Sequence, residues 1–271
     1  MANLDTATIE SLLGETGPVL EFFEEIDSTN TWLLEREFGE RPAAPRLAVA
    51  ARQTAGRGRR GRSWIAEPGR SACLSLALES YALPRPGLSL AVGCAVAGAL
   101  SALTDGLALK WPNDLLRRGL KCGGILIETR PGRNSRGSWT RSVVGIGLNL
   151  LAPADTQALA QPAGGLFDDR GQMPATEAVI AAVARACASA FDRHAREGFD
   201  SFVSEWDRFD AWRGREVEVR DAGQVLMRGT ALGLAPDGSL KLATPDGERW
   251  VVSGDVSLRQ SASRSVVGTE P

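Results

Sequence analysis

The run Thr54-Ala55-Gly56-Arg57-Gly58-Arg59-Arg60-Gly61-Arg62-Ser63-Trp64 places four arginines and three glycines within eleven residues. Three uses fit such a stretch: a grip on nucleic acid, a solvated turn whose charge is incidental, or a wrap around a small anionic ligand. Gly56, Gly58 and Gly61 permit backbone angles that other residues resist. Guanidinium groups alternating with glycine can converge on one anion, and arginine meets phosphate or carboxylate with two parallel hydrogen bonds. On charge pattern alone the solvated loop is the better account. As a ligand wrap, its unpaired arginines would repel one another and leave it mobile until an anion orders it.

Further chemistry-bearing residues stand along the chain. In Leu109-Lys110-Trp111-Pro112-Asn113-Asp114, a lysine at a strand end precedes a Pro-Asn-Asp turn. Such a turn can bring a carboxylate to magnesium and phosphate, or merely cap its own backbone. Ser28, Thr29 and Asn30 are capping types at a helix start, where free N–H groups also face any ligand. Gly123, Gly124, Gly145 and Gly147 fall in strand-like segments, where glycine marks a bulge or a close approach. Taken singly, tight packing accounts for each; together with the arginine loop they read as a ligand bed.

These residues need elements to position them. A short helix and lead-in occupy residues 1–20, and a second helix begins at Asp27-Ser28-Thr29 and runs to Gly39 and Pro42. Strands are expected at 46–53, at 73–79 with period-two alternation, at 107–111, from Ile125, and at 142–150. Leu88 to Leu103 reads as a buried helix, too short and too rich in small residues to span a membrane. Residues 152–173 form a loop longer than a plain connector, and two helices broken at Gly198 follow. From Arg213 the texture becomes short strands punctuated by Pro-Asp-Gly turns at Pro236 and Pro245.

The totals of the 271-residue chain narrow the choices. It is 43% apolar and 24% charged with a net charge of −2, which argues against a general nucleic-acid binder. Cys73, Cys94, Cys122 and Cys187 have neither metal nor disulfide spacing and read as buried thiols in a reducing compartment. The one histidine, His194, lies in a polar helical stretch and is expected at the surface; alone, it supports neither a metal site nor a Ser-His-Asp set. The N-terminus carries early acids and no apolar signal segment, so a cytoplasmic address is expected.

In their order, Asp27-Ser28-Thr29-Asn30, the arginine loop, Lys110-Trp111-Pro112-Asn113-Asp114, Lys121-Cys122-Gly123-Gly124-Ile125 and Gly145-Ile146-Gly147-Leu148-Asn149 resemble the biotin–protein ligases. The resemblance is strong from Glu21 to Leu150 and looser to Leu258. It implies an α+β fold: a mixed sheet with flanking helices, of the class II synthetase-like biotin–lipoate ligase type, and a small SH3-like β-barrel. The implied boundaries are 1–211 for the catalytic domain, 212–260 for the β domain and 261–271 for a disordered tail. The implied reaction joins biotin to ATP as biotinyl-5′-adenylate with release of pyrophosphate, then passes biotin to a lysine of the biotin carboxyl carrier protein of acetyl-CoA carboxylase.

Residue by residue, the resemblance assigns biotin to Ser28, Thr29, Asn30, Gln53, Gly56, Arg57, Gly58, Arg59, Lys121, Gly124 and Gly145. It assigns ATP to Arg57, Arg60, Lys110, Trp111, Asn113, Asp114 and Asn149, with Asp114 also touching Mg²⁺. Lys121, Arg57 and Arg59 carry the catalysis. Phe167 is the one aromatic candidate for an adenine platform. About twenty-five residues precede the Asp27 run, so no operator-binding domain and no specific DNA binding are expected; a homodimer is admitted. The rival enzyme is a lipoate–protein ligase, and the rival from another class is a nucleic-acid-binding protein, for which only Trp64 offers a nearby aromatic.

Overall fold

The computed structural model describes residues 4–37, 43–81, 84–155, 162–221, 224–252 and 257–260. Seven strands form one sheet in the order β1-β2-β3-β7-β6-β5-β4: β1 (Val19–Ile26), β2 (Arg46–Gln53), β3 (Ser71–Ser80), β4 (Leu107–Lys110), β5 (Asp114–Arg117), β6 (Leu120–Asn134) and β7 (Gly137–Asn149). Only β1 and β2 pair in parallel; every other neighbour is antiparallel. The sheet is mixed, as expected.

Period-two alternation decides which face does what. On β3, Leu74, Leu76 and Leu78 join the main core, while Ala77 packs beneath α2 (Thr29–Glu35) with Ala48 and Val143. The main-core face is covered by α3 (Leu88–Leu100) and α4 (Thr176–Glu197). Gly93 of α3 faces Leu109 and Ile125 of this sheet face. The short α1 (Thr6–Leu13) adds Ile9 and Leu13 to the same core; it is capped by Asp5, whose carboxylate accepts from the N–H groups of Ala7 and Thr8. Gly198, at φ 75°, ends α4 before the short α5 (Val203–Phe209), so the expected break holds.

A second, five-stranded antiparallel sheet has the order β11-β10-β9-β8-β12, from β8 (Glu216–Asp221), β9 (Gln224–Leu234), β10 (Leu240–Thr244), β11 (Gly247–Val251) and β12 (Ser257–Gln260). Gly238 and Gly247 adopt positive φ at the two Pro-Asp-Gly turns, as those turns require. The two sheets share one apolar cluster, in which Val217, Leu234 and Leu240 join α3, α4 and β3 residues.

Several expectations are corrected. Val19–Ile26 is a strand, although its mixed charge and half-burial hide any alternation. Asp114 opens the buried strand β5 where only a turn is expected, because Lys110 and Asp114 are paired across the β4–β5 connection. β6 starts at Leu120 and runs through Gly123 and Gly124. α2 ends at Glu35, with Arg36 already extended. Gly39, Pro42, residues 156–161 of the long loop and the expected tail, 261–271, lie outside the described residues. His194 is buried, not exposed, and its Nε2 meets the Pro86 carbonyl at 3.0 Å. Phe167 is 4% exposed inside the core, so it offers no platform.

Candidate active site

One face of the seven-stranded sheet forms the floor of the site. Across β3, β7 and β6 the register aligns Ser75 with Gly145 and Leu126, and Cys73 with Gly147 and Gly124. Two of those glycines make room for protein side chains. A Cβ at Gly145 would overlap the Asn30 amide, and one at Gly147 would overlap the Trp64 indole. Gly124 keeps its space: nothing comes nearer to a Cβ there than Lys121 and Trp64, at 3.6 Å.

At one end of this floor the start of α2 is wired into a buried polar network. The Ser28 side chain caps the helix, accepting from Thr31 N–H at 3.4 Å. Gln53 Oε1, at the end of β2, accepts from the Thr29 N–H at 2.8 Å. Ser75 Oγ donates to Asn30 Oδ1 at 2.6 Å and lies 2.6 Å from Thr29 Oγ1. Ser75 has one hydrogen and gives it to Asn30, so Thr29 donates in that second contact. The 3.1 Å approach of Thr29 Oγ1 to Gln53 Oε1 is the weaker share of the same proton. Asn30 Nδ2 donates to Glu128 Oε2 at 2.9 Å. The wall therefore offers fixed donors and acceptors suited to a neutral polar ring.

At the other end sits an ion triad. Asp114 receives Lys121 Nζ at 2.5 Å and Lys110 Nζ at 3.3 Å. Burial alone would raise the Asp114 carboxyl, but the ammonium groups of Lys121 and Lys110 prevail and hold it below its ordinary 3.8. Lys121 Nζ also stands 5.9 Å from the Trp64 ring centre, and Lys110 Nζ 5.6 Å from that of Trp212. Magnesium wants one or two available carboxylates, whereas both Asp114 oxygens are engaged by cations. The donor set therefore does not fit a protein-held Mg²⁺ at Asp114.

The arginine loop closes over these parts as a tight hairpin. Gly58 N–H donates to Arg62 O at 2.7 Å and Trp64 N–H to Gly56 O at 2.8 Å. Arg60 takes a left-handed φ of 60° between them. Arg57 Nη2 donates to Glu128 Oε2 of β6 at 2.8 Å, so the loop meets an anion partner on the sheet, where arginines without counter-charges were expected. Beneath it, burial pushes the Cys73 thiol up to about 12, which leaves it protonated and unreactive. All four cysteines are buried.

One cavity collects most of the residues singled out in the sequence: Ser28, Thr29, Asn30, Gln53, Arg57, Gly58, Arg59, Arg60, Lys110, Trp111, Asn113, Asp114, Lys121, Gly124 and Gly145. Two stand apart from its lining. Gly56 packs against the Trp64 backbone, and Asn149 donates from Nδ2 to Gly164 O at 3.3 Å. Two lining residues are already committed. Asn113 Nδ2 donates to Ile125 O at 2.9 Å, and Trp111, 2% exposed, donates from Nε1 to Gly238 O at 3.1 Å. Arg62 and Trp64, from the arginine loop, also line the cavity; the sequence alone does not mark Ser75 and Leu126, which line it too, or Glu128. Alternation from Gly124 along β6 is the signal that points to Leu126 and Glu128.

Comparison with known proteins gives the chain its family. Residues 22–149 match the biotin/lipoate A/B protein ligase family, and residues 214–259 match the biotin protein ligase C-terminal domain. The bifunctional ligase/repressor BirA of Escherichia coli is 31% identical over 241 residues, covering 87% of this chain and 73% of BirA. The biotin–[acetyl-CoA-carboxylase] ligase of Paracoccus denitrificans is 32% identical over 238 residues, covering 85% of this chain and 96% of that protein. Among solved structures, the biotin protein ligase of Aquifex aeolicus in complex with biotin and ATP superposes with a TM-score of 0.76 at 28% identity, covering 90% of this chain and 99% of that one. With both of its sheets matched in this way, the chain belongs to the biotin/lipoate A/B protein ligase family and, within it, to the biotin protein ligases.

Proposed function

We propose that the cavity activates biotin with ATP and then biotinylates a lysine of a biotin carboxyl carrier protein. In the first step a biotin carboxylate oxygen attacks the α-phosphorus, forming biotinyl-5′-adenylate, and pyrophosphate leaves. In the second the carrier lysine's neutral amine attacks the biotinyl carbonyl; an amide forms, AMP departs and the amine loses its proton. The observation that carries this reading is the position of Lys121, in the same cavity that the polar wall at α2 and the arginine loop line.

Both reactants of the first step are anions. At ~4 Å and an effective dielectric near 20, one such repulsion is of order 4 kcal/mol, so positioned cations dominate the barrier. Lys121 bridges the biotin carboxylate and the α-phosphate, and Arg57 and Arg59 fold over the mixed anhydride. Ser28, Thr29, Asn30 and Gln53 hold the ureido ring, with Gly58, Gly124 and Gly145 beside it. Lys110 and Arg60 serve the nucleotide phosphates, while Asn113 holds the turn beside them through Ile125 O. Four buried thiols favour a reducing, cytoplasmic setting. We divide the chain at residues 211 and 212, with the β domain flanking the nucleotide and the carrier. The name of the Paracoccus denitrificans relative supports acetyl-CoA carboxylase as the source of that carrier.

ATP–pyrophosphate exchange tests the assignment directly. Exchange that depends on biotin and is absent with lipoate is expected; exchange driven equally by lipoate overturns the choice of acid.

A further inference from the structure

We propose that Glu128 is a positioning residue that latches the arginine loop onto the biotin-side wall in the free protein, and that the adenylate must displace it from Arg57. The proposal rests on the function proposed above. One carboxylate oxygen, Oε2, takes hydrogen bonds from both Arg57 Nη2, at 2.8 Å, and Asn30 Nδ2, at 2.9 Å. Arg57 belongs to the loop and Asn30 to α2, so this atom joins two elements 27 positions apart in sequence, counting from Asn30 to Arg57.

The sheet places Glu128 for this task. Gly124, Leu126 and Glu128 share one face of β6, and Leu126 is paired with Gly145, over which the Asn30 amide lies. Glu128 therefore stands one pleat beyond the Asn30 seat, with its carboxylate at the loop's edge. The Asn30 amide is oriented from both ends, by Ser75 at its oxygen and by Glu128 at its nitrogen. Glu128 gives the shorter of the two bonds at the amide nitrogen, the other going to Leu126 O at 3.4 Å, and so helps to fix which way this amide faces a ligand.

The Arg57–Glu128 side chains are 41% and 27% exposed. An ion pair so open to water adds little to global stability, but it is enough to choose between loop conformations and is exchangeable for a stronger anion. The adenylate phosphate offers Arg57 two unshared non-bridging oxygens, whereas Glu128 gives it one oxygen that Asn30 shares, so ligand binding releases the latch and leaves Glu128 on Asn30 alone.

Hydrogen exchange of the ligand-free protein tests the latch. In Glu128→Gln, amides of residues 54–64 should exchange ~3–5-fold faster than in the wild type, while those of β3 stay unchanged and report an intact fold. Arg57→Gln breaks the same pair from the loop side and should give the same acceleration, which keeps the test valid if Glu128→Gln disturbs β6. With a non-hydrolysable biotinyl-adenylate mimic bound, wild type and Glu128→Gln should be equally protected. In steady state Glu128→Gln should raise the biotin KM ~3–10-fold at nearly unchanged kcat, through the loosened Asn30 amide. Free-state exchange within twofold of wild type in both variants overturns the latch. A working latch with no protection by the mimic would instead overturn the biotin reading.

Discussion

Lys121 leans on a buried carboxylate, so its removal has two consequences that can be separated. Lys121→Ala takes away the cation between two reacting anions, and adenylate formation should fall by on the order of 10²-fold or more. It also leaves Asp114 with Lys110 alone, so Lys121→Ala with Asp114→Asn should recover stability in urea titrations without recovering pyrophosphate exchange. Exchange within about threefold of wild type in Lys121→Ala would refute the role. The floor glycines give a second contrast. Gly145→Ala drives a methyl into the Asn30 amide and should cost about 1–3 kcal/mol of stability along with biotin affinity. Gly124→Ala meets nothing closer than 3.6 Å; it should fold normally and lose only affinity, as calorimetry with biotin would show. At this scale the sequence is legible where residue types recur in tight runs. Arg57 to Arg60, Lys110 to Asp114, and Lys121 with Gly124 all reach one cavity. Ser75 and Glu128 carry no such mark, because an isolated serine or glutamate becomes informative only once strand pairing shows which face it joins.

Helix α2 supplies the clearest case at the scale of elements. It is seven residues long, too short to be stable by itself, and its C-terminal carbonyls are gathered by buried Arg141. That guanidinium donates from Nη1 to Leu33 O at 2.7 Å and to Arg36 O at 2.6 Å, and from Nε to Glu79 at 2.8 Å. Arg130 adds a further bond to Leu34 O at 2.9 Å. Arg141→Leu would strand Glu79 in the interior and uncap the helix. A loss of about 3–5 kcal/mol is expected by denaturant titration, and a loss under about 1 kcal/mol would remove Arg141 from this role. The start of α2 is readable from Asp27-Ser28-Thr29, because capping chemistry is local. Its end is not, because a side chain from β7, more than one hundred residues away, terminates it. β1 and β5 are obscure for a related reason: an edge strand rich in glutamate and a four-residue strand following Pro112 have too little periodicity of their own.

Across the whole molecule, the buried His194 ties α4 to the loop before α3, and desolvation holds its pKa below the ordinary 6.5. The unfolded chain therefore takes up a proton near pH 6.5 that the folded protein resists, so stability falls as pH drops below that value. His194→Gln keeps a donor for the Pro86 carbonyl and has no such proton. Between about pH 7.5 and 5.5 its melting temperature should fall less than that of the wild type; parallel declines would show that His194 does not contribute. The polar helical setting of His194 gives no hint of this burial, since the covering residues come from elsewhere in the chain. The shared apolar cluster and the Trp111–Gly238 bond bear on how the molecule comes apart. Cutting the β domain away would bare Trp111 and the α3 face that Gly238 touches through Leu90, leaving no independent remainder. Melting should accordingly be a single cooperative event, with calorimetric and van't Hoff enthalpies in agreement, while two resolved heat-absorption peaks would show that the two sheets hold together separately.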